Sequence, residues 1–162
     1  MQYALSGDAQ GQYLPEISIK YRPSTIEKKP VKDAEDMVNL ILGIMDKDEF
    51  PLQEKVAVLL LDDMDVPIGA KILFIGSKTE VTVDYQIVYQ LALICGASQV
   101  VMAHNHPGAD LQPSDEDINS AIRGAAMGRV LGIRYRDDLI LCRVEGEKEV
   151  DYFSMADANI LL

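Results

Sequence analysis

The two histidines of this 162-residue chain stand one residue apart, as His104 and His106. They follow a short apolar run at 99–103, which is typical of a buried strand, and they precede Ser114 and Asp117 at the predicted start of a helix. Because side chains at i and i+2 of an extended chain point to the same side, both imidazoles can face one point. A carboxylate on the first turn of the next helix can then supply a third ligand. Two histidine nitrogens, one carboxylate oxygen and an open fourth position suit Zn²⁺.

A zinc ion held in this way lowers the pKa of its water to about 7, which makes hydroxide available as a nucleophile at neutral pH. A purely structural interpretation is also open, because the spacing of Ser114 and Asp117 is that of a helix capping box. A single H-x-H is in addition only a weak indication of a metal site. The combined order of strand, H-x-H-P, loop, S-x-x-D and helix favours the metal site. A zinc deaminase would instead need H-x-E with P-C-x-x-C, and neither is present. Three neighbouring acids are expected to be solvated: Asp110, Asp115 and Glu116.

The segment from His104 to Asp117 resembles the JAMM (JAB/MPN) metalloprotease motif, and in particular its RadC-like branch, whose members carry H-N-H-P-S-G followed by P-S-x-x-D. The similarity runs from about Glu54 to the C-terminus, roughly two thirds of the chain. It implies a single α/β domain with a JAB/MPN-like mixed, curved sheet flanked by helices. It also implies that His104, His106 and Asp117 bind Zn²⁺, and that the Ser114 hydroxyl stabilises the oxyanion of a tetrahedral intermediate.

The resemblance further implies a catalytic glutamate on the first strand, which takes a proton from the bound water and returns it to the leaving amine. Glu54 occupies that place, three residues before Ala57 in an E-x-x-A pattern. The alternative interpretation is an ordinary solvated acid at the end of a strand. Glu49 and Glu80 are the fallback candidates for the base, whereas Lys71 cannot serve in its charged form.

Two departures from the RadC-like pattern lie close to the predicted site. Gly108-Ala109 replaces the usual Ser-Gly after H-N-H-P, which changes the loop next to the metal. Asp137-Asp138 replaces the usual Asp-His before the next strand. Neither departure removes a predicted zinc ligand, so we expect any effect to fall on the fit of the substrate.

Hydrophobic periodicity places the predicted site within an alternating series of helices and strands. Residues 1–32 form an N-terminal extended arm, which either packs on the domain or forms an interface, and residues 33–162 form the RadC-like JAB/MPN domain. The predicted elements are helices over 33–46, 82–95 and 117–131, and strands over 56–61, 68–75, 99–103, 133–135, 139–144 and 150–153. Helix residues expected to face the core are Ile87, Val88, Leu91, Ala92 and Cys95, then Ile118, Ala121, Ile122, Ala125 and Val130.

Composition limits the class of partner. The chain carries 15 basic and 26 acidic residues, a net charge of −11, and shows no basic stripe of the kind that binds a phosphate backbone. Direct nucleic-acid binding is therefore disfavoured. A peptide or protein substrate is what the RadC-like resemblance implies. No apolar run is long enough for a membrane span, and residues after Met1 do not form the apolar core of a signal peptide. Cys95 and Cys142 have no C-x-x-C partner, so we interpret them as reduced core residues of a cytoplasmic protein.

Three hypotheses for function remain. The first is a zinc-dependent hydrolase of the JAMM type that cleaves a peptide or isopeptide bond with a metal-activated water. The second is a non-catalytic JAB/MPN scaffold, which the complete set of candidate residues disfavours, because inactive members of the family typically lose ligands. The third is a RadC-like factor associated with DNA repair, which the acidic balance disfavours. The oligomeric state is left open.

Overall fold

The computed structural model of the chain describes residues 29–108, 110–143 and 149–161. The predicted N-terminal arm lies outside the described residues except for its last four positions. The predicted turn at 145–147 and Ala109 also lie outside them. The arm and its boundary at residue 33 therefore stay predictions.

The described residues form three α-helices, a short 3₁₀ turn and five strands. In chain order these elements are α1 (Ala34–Leu42), the 3₁₀ turn (Lys47–Glu49), β1 (Lys55–Leu61), β2 (Pro67–Ile75), α2 (Tyr85–Ile94), β3 (Gln99–Asn105), α3 (Asp115–Leu131), β4 (Arg134–Cys142) and β5 (Asp151–Ser154). The predicted α/β class is confirmed, and the predicted elements are found to within a few residues, with β4 as the exception. None of the helices in the described part of the chain has both the length and the apolar character that crossing a bilayer requires.

β4 is one continuous strand, so the prediction of two strands separated by a polar break is wrong. The apparent break consists of Asp137 and Asp138, and both are buried within the strand. Asp137 accepts hydrogen bonds from the Ser154 hydroxyl at 2.6 Å and the Ala156 amide at 3.0 Å. Asp138 accepts one from the Tyr135 hydroxyl at 2.6 Å. Acids can lie inside a sheet when such donors satisfy them, and these acids mark the interior of β4 rather than its end.

The five strands form one mixed sheet in the order β2-β1-β3-β4-β5. β1 pairs antiparallel with both β2 and β3, β3 pairs parallel with β4, and β4 pairs antiparallel with β5. A parallel pair requires a crossover connection, and α3 supplies it. The strand that ends in the histidines is therefore the central strand of the sheet. The predicted mixed sheet flanked by helices is confirmed.

Both faces of the sheet are covered, which explains the continuous apolar run of β1. Even-numbered residues from Val56 to Leu60 pack into a core with α2 and α3, whereas odd-numbered residues from Ala57 to Leu61 pack into a second core with α1. Strands buried on both faces are expected to be apolar throughout. On β3, Met102 belongs to the first core. Because side chains two residues apart on a strand share a face, His104 also points to the α2–α3 side.

α3 packs through small residues rather than through its large aliphatic ones. Ala121, Gly124 and Gly128 are buried and form one stripe at i, i+3 and i+7. The tyrosines of α2 and β4 fill the space opposite this stripe. The large apolar residues left at the surface of α3 are Ile122, Met127, Val130 and Leu131. Three helix residues predicted to face the core are exposed, by 44%, 49% and 85%, so for them the prediction is wrong: Ile87, Ile122 and Val130.

Gly124→Ala should destabilise the domain, although glycine-to-alanine changes inside a helix usually stabilise it by up to about 1 kcal/mol. A Cβ at position 124 would lie 2.5 Å from the Tyr85 ring and 2.7 Å from the Tyr135 ring. We expect overpacking to lower the free energy of unfolding by about 1–3 kcal/mol, measured by urea denaturation. The control is Gly69→Ala, because no atom lies within 4 Å of a Cβ built there. An unchanged or higher unfolding free energy for Gly124→Ala would contradict this packing.

Candidate metal centre

The central strand brings both histidines to one face of the sheet. β3 extends two residues further than predicted, so His104 lies within the strand and His106 directly follows it. The two Nε2 atoms lie 3.0 Å apart, and the ring centroids are 4.8 Å apart. Two ring nitrogens at this separation can be held together by a shared proton or by a common cation. The structure therefore brings the two imidazoles together as the H-x-H spacing predicts.

α3 brings the Asp117 carboxylate to the same point. Its Oδ1 lies 3.2 Å from Nε2 of His104, and its Oδ2 lies 3.5 Å from Nε2 of His106. The first turn of the helix fixes this carboxylate, because Oδ2 accepts hydrogen bonds from the Ser114 amide at 2.8 Å and from the Ser114 hydroxyl at 2.6 Å. The hydroxyl in turn accepts from the Asp117 amide at 3.1 Å. The capping box is present, and it also orients the candidate ligand.

Glu54 reaches the same group of atoms from the start of β1. The register of β1 and β3 sets Val56 opposite His104, and continuing it sets Glu54 opposite His106. One carboxylate oxygen of Glu54 and one ring nitrogen of each histidine all lie within 4.8 Å of one another. Within the described residues these three side chains form a group that could hold a metal ion. Glu54 is only 8% exposed, so it is not a solvated strand-end acid, and its catalytic role stays a prediction.

The fallback candidates for the base are placed less favourably. Glu49 pairs with the Lys55 ammonium, and Lys55 follows Glu54 in an extended chain, so its side chain points to the other face of the sheet. Glu80 lines the same cleft as Glu54 but is exposed, on the segment between β2 and α2. Lys71 is exposed on β2 and does not line the cleft. Of these acids, Glu54 is the one buried beside the histidines.

A hydrogen bond behind the ring orients His106. Its Nδ1 lies 2.7 Å from the carbonyl oxygen of Asp110. Because a carbonyl can only accept, Nδ1 carries the hydrogen and the lone pair of Nε2 is left to bind a metal. The free, buried thiol of Cys142 donates to the same carbonyl over 3.1 Å. Asp110 therefore acts through its backbone, while its exposed carboxylate accepts a hydrogen bond from the Gln112 amide.

Asp138 lies beside Nδ1 of His104, and Nε2 of that ring faces the candidate metal centre. It occupies the position where the RadC-like pattern has a histidine. Its Oδ1 lies 3.8 Å from Nδ1 of His104, and its Oδ2 accepts the hydrogen bond from Tyr135. The Tyr135 hydroxyl lies 3.5 Å from that of Tyr85, which lies 3.1 Å from the Ser120 hydroxyl. A chain of polar groups thus connects the cleft lining to the imidazole. The sequence shows the departure from the family pattern at Asp138 but does not predict this contact with His104. The feature that could have indicated it is a pair of acids inside an otherwise apolar strand.

The charges of the site are those of a cation-binding centre. Burial lowers the pKa of His104, but the Asp117 and Asp138 carboxylates overcome this effect and raise the pKa to about 10. Burial raises the pKa of Asp117, but hydrogen bonds from His104 and from Ser114, together with the positive charge of His104, hold it well below its usual range. The metal-free site therefore pairs a protonated imidazole with an ionised carboxylate. Burial raises the pKa of Glu54, against the lowering effect of the two rings.

The residues present fit a divalent cation. Two imidazole nitrogens and one carboxylate converge within 3.5 Å, and a second carboxylate lies beside them. A positive ion would take the place of the proton that His104 carries in the metal-free protein. Donors of this kind and number are typical of zinc sites that keep an open position, and imidazole also suits other first-row metals. The geometry thus supports a metal site without selecting the ion.

The candidate metal centre opens into a cleft of about 510 Å³. Besides the metal-centre residues, the cleft is lined by the segment 78–83 between β2 and α2 and by Ser120 and Arg123 of α3. Glu80 and Glu116 add acidic groups, and Lys78 adds a second basic one. The lining therefore offers both signs of charge to a ligand that reaches the histidines. Lys78, Ser120 and Arg123 carried no signal in the sequence, because their proximity to the site depends on how the chain around α2 and α3 packs.

The metal-free protein should lose stability as the pH rises from 6 to 9. The pKa of His104 is about 10 in the folded protein and 6.5 for a free side chain, so the protonated ring contributes stability that is complete below pH 6.5 and is lost toward pH 10. The measurement is urea denaturation of chelator-treated protein at pH 6, 7.5 and 9. His104→Gln is the control, because it removes this titration and should leave a flatter profile. A wild-type stability that is constant or rises over this range would contradict the prediction.

Comparison with known proteins identifies the family. Residues 31–160 match the sequence model described as the RadC-like JAB domain. The chain is 30% identical over 111 residues to a UPF0758 protein of Clostridium beijerinckii, 37% over 89 residues to one of Trichodesmium erythraeum, and 31% over 131 residues to one of Clostridium novyi. These alignments cover 68%, 55% and 81% of this chain, and 47%, 37% and 54% of the respective relatives. The chain therefore spans roughly half the length of the curated relatives it matches.

The family match covers the whole of the described fold and not only the histidines. It begins before α1 and extends beyond β5, so it includes the sheet, the crossover helix and every residue of the candidate metal centre. The name UPF0758 specifies neither an activity nor a substrate. On the extent of this match and the agreement of the fold, the chain belongs to the RadC-like JAB domain family.

Proposed function

We propose that this chain is a zinc-dependent hydrolase of the JAMM type, which cleaves a peptide or isopeptide bond with a metal-activated water. One observation carries the proposal. Nitrogens of His104 and His106 and the carboxylate of Asp117 converge on one point, and the Glu54 carboxylate is buried beside it. Membership of a JAB family supports the same chemistry, because the JAMM motif has these residue types in these places.

Glu54 acts as the general base. Zinc, when bound, lowers the pKa of a bound water to about 7 and polarises the scissile carbonyl. The Glu54 carboxylate takes the proton from the attacking water and delivers it to the leaving amine, so the proton is conserved between the two steps. Burial raises the pKa of Glu54, and a raised pKa suits a carboxyl group that must both accept and return a proton near neutral pH.

Ser114 stabilises the oxyanion. Ser114 is exposed at the start of α3 and lines the cleft, and its hydroxyl donates to Asp117. If that hydroxyl turns to donate to the developing oxyanion, Asp117 keeps the hydrogen bond from the Ser114 backbone amide at 2.8 Å. The hydroxyl oxygen continues to accept from the Asp117 amide, so capping uses the acceptor of this hydroxyl and the proposed catalysis uses its hydrogen.

A peptide or protein is the proposed substrate. A cleft of about 510 Å³ leads to the metal centre, and acids and bases both line it. The net charge of −11 opposes the approach of a nucleic-acid backbone, so direct binding of nucleic acid is not part of the proposal. No observation of the described residues favours the scaffold or DNA-repair alternatives over the hydrolase. The substrates and partners of the longer relatives are a separate question, since this chain spans only part of their length.

Asp117→Ala should abolish most metal binding. Protein purified without chelators should carry about one zinc per chain, because two imidazoles and a carboxylate complete the donor set. Removing the carboxylate should lower the bound zinc to less than about a tenth, measured by elemental analysis on variants whose circular dichroism matches the wild type. Glu116→Ala is the control, because Glu116 is an exposed acid on the same turn. A wild type without metal, or a fully loaded Asp117→Ala, would refute this donor set.

Glu54→Gln should keep the metal and lose turnover. The amide preserves the size of the side chain but cannot accept the proton, so cleavage of a peptide library should fall by about 10²–10⁴-fold. Glu80→Gln is the matched control, since Glu80 lines the same cleft and is a fallback candidate for the base. Turnover that survives in Glu54→Gln but is lost in Glu80→Gln would move the base to Glu80. Loss of zinc from Glu54→Gln would instead make Glu54 a ligand.

A further inference from the structure

Asn105, the residue between the two histidines, is fully buried and points away from the candidate metal centre. Successive side chains of a strand alternate between faces, so His104 points to the α2–α3 side and Asn105 to the α1 side. The mechanism proposed above gives this amide no part in binding the metal or in moving a proton. Its hydrogen bonds nevertheless lead back to the catalytic machinery.

Three hydrogen bonds join the Asn105 side chain to the chain around Glu54. Nδ2 donates to the carbonyl oxygens of Phe50 at 3.1 Å and Gln53 at 3.0 Å. Oδ1 accepts from the backbone amide of Lys55 at 2.9 Å. Gln53 and Lys55 are the neighbours of Glu54 on either side. Asn105 therefore holds the backbone on both sides of the proposed base.

These bonds begin where the backbone pairing of β1 with β3 stops. The last paired residues of the two strands are Val56 and His104. The backbone of Glu54 bonds to the end of β2 instead of to β3. Its amide donates to the backbone carbonyl of Ser77 at 2.7 Å, and its carbonyl accepts from the Gly76 amide at 2.8 Å. The segment that carries Glu54 is thus tied to the end of β2 by its own backbone and to β3 by the Asn105 side chain.

We infer that Asn105 is a positioning residue for Glu54: by bonding the peptide groups on both sides of Glu54, it fixes the distance between that carboxylate and the two imidazoles. The inference rests on the proposed role of Glu54 as the base. An amide is the group that this task needs, because two carbonyls require N–H donors while the amide of Lys55 requires an acceptor. A carboxylate would offer no donor to either carbonyl, and an aliphatic side chain would satisfy none of the three groups.

Gln99 provides a matched control at the opposite end of the same strand. It is also a buried amide on the α1 side of β3, and its Nε2 donates to the Asp62 carbonyl at 3.0 Å and to Asp65 at 2.7 Å. Asp62 follows β1 at the end remote from Glu54. Gln99→Ala should therefore perturb the contact between β1 and β3 in a similar way while leaving the base in place.

The experiment compares Asn105→Ala with Gln99→Ala in the full chain. Crystal structures give the separation of the Glu54 carboxylate from the two rings, elemental analysis gives zinc per chain, and kcat and KM are measured on the library peptide that the wild type cleaves fastest. Asn105→Ser replaces Asn105→Ala if the alanine variant does not fold. Asn105→Ala is also combined with Glu54→Gln, because a residue that acts only through Glu54 has no further effect once the base is gone.

We expect Asn105→Ala to displace Glu54 from the rings, to keep its zinc, and to lower kcat by at least about tenfold with KM nearly unchanged, since small misplacements of a catalytic group are costly. Gln99→Ala should lower the thermal midpoint comparably without these changes, and the double variant should turn over no more slowly than Glu54→Gln. An undisplaced Glu54 carboxylate, an equal kcat loss in Gln99→Ala, or a further loss in the double variant would each overturn the inference. A wild type without zinc or turnover would refute the proposed function, while the two crystal structures would still decide whether Asn105 holds Glu54.

Discussion

The antiparallel register between β1 and β3 is the constraint on which the candidate metal centre depends. It sets Val56 opposite His104, and it carries Glu54 to the level of His106 on the same face of the sheet. Because side chains alternate along a strand, a slip of one residue would send Glu54 to the α1 side. The register is in turn enforced by two filled cores, since every residue from Val56 to Leu61 is buried on one face or the other.

α3 packs on the face of the sheet to which Glu54 and the histidines point, and its composition allows this close packing. A helix with large residues at 124 and 128 would stand further from the sheet, because the Tyr85, Tyr89 and Tyr135 side chains already fill the gap. With glycine there, the helix lies close, and its first turn reaches the histidines. The position of the Asp117 carboxylate therefore depends on packing several turns along the helix as well as on its own capping box.

Much of the candidate site could be predicted, because its signals are local in sequence. The H-x-H spacing on β3 and the S-x-x-D start of α3 each describe one turn or one strand, and periodicity located the elements that carry them. Glu54 was different, since nothing in spacing reveals which residue lies opposite a strand fifty positions later; only the family resemblance indicated it. The predicted break in β4 at Asp137 and Asp138 was wrong. Two adjacent acids are typical of the end of a strand, but here buried hydrogen-bond donors satisfy both carboxylates. The prediction that Val130 of α3 faces the core was wrong. A pattern based on hydrophobicity favours a face of large apolar residues, whereas the face that is buried consists of alanine and glycine.

The proposed ligands and the proposed base come from parts of the chain that are separated by very different distances in sequence. His104, His106 and Asp117 lie in one continuous strand–loop–helix segment, whereas Glu54 arrives only when a distant strand pairs with it. Contacts between distant segments carry the larger cost of loop closure, and local ones the smaller. In the proposed chemistry, β3 and α3 supply the ligands, and the pairing of β1 with β3 adds the proton acceptor. Hydrolytic competence is therefore confined to molecules whose sheet is complete.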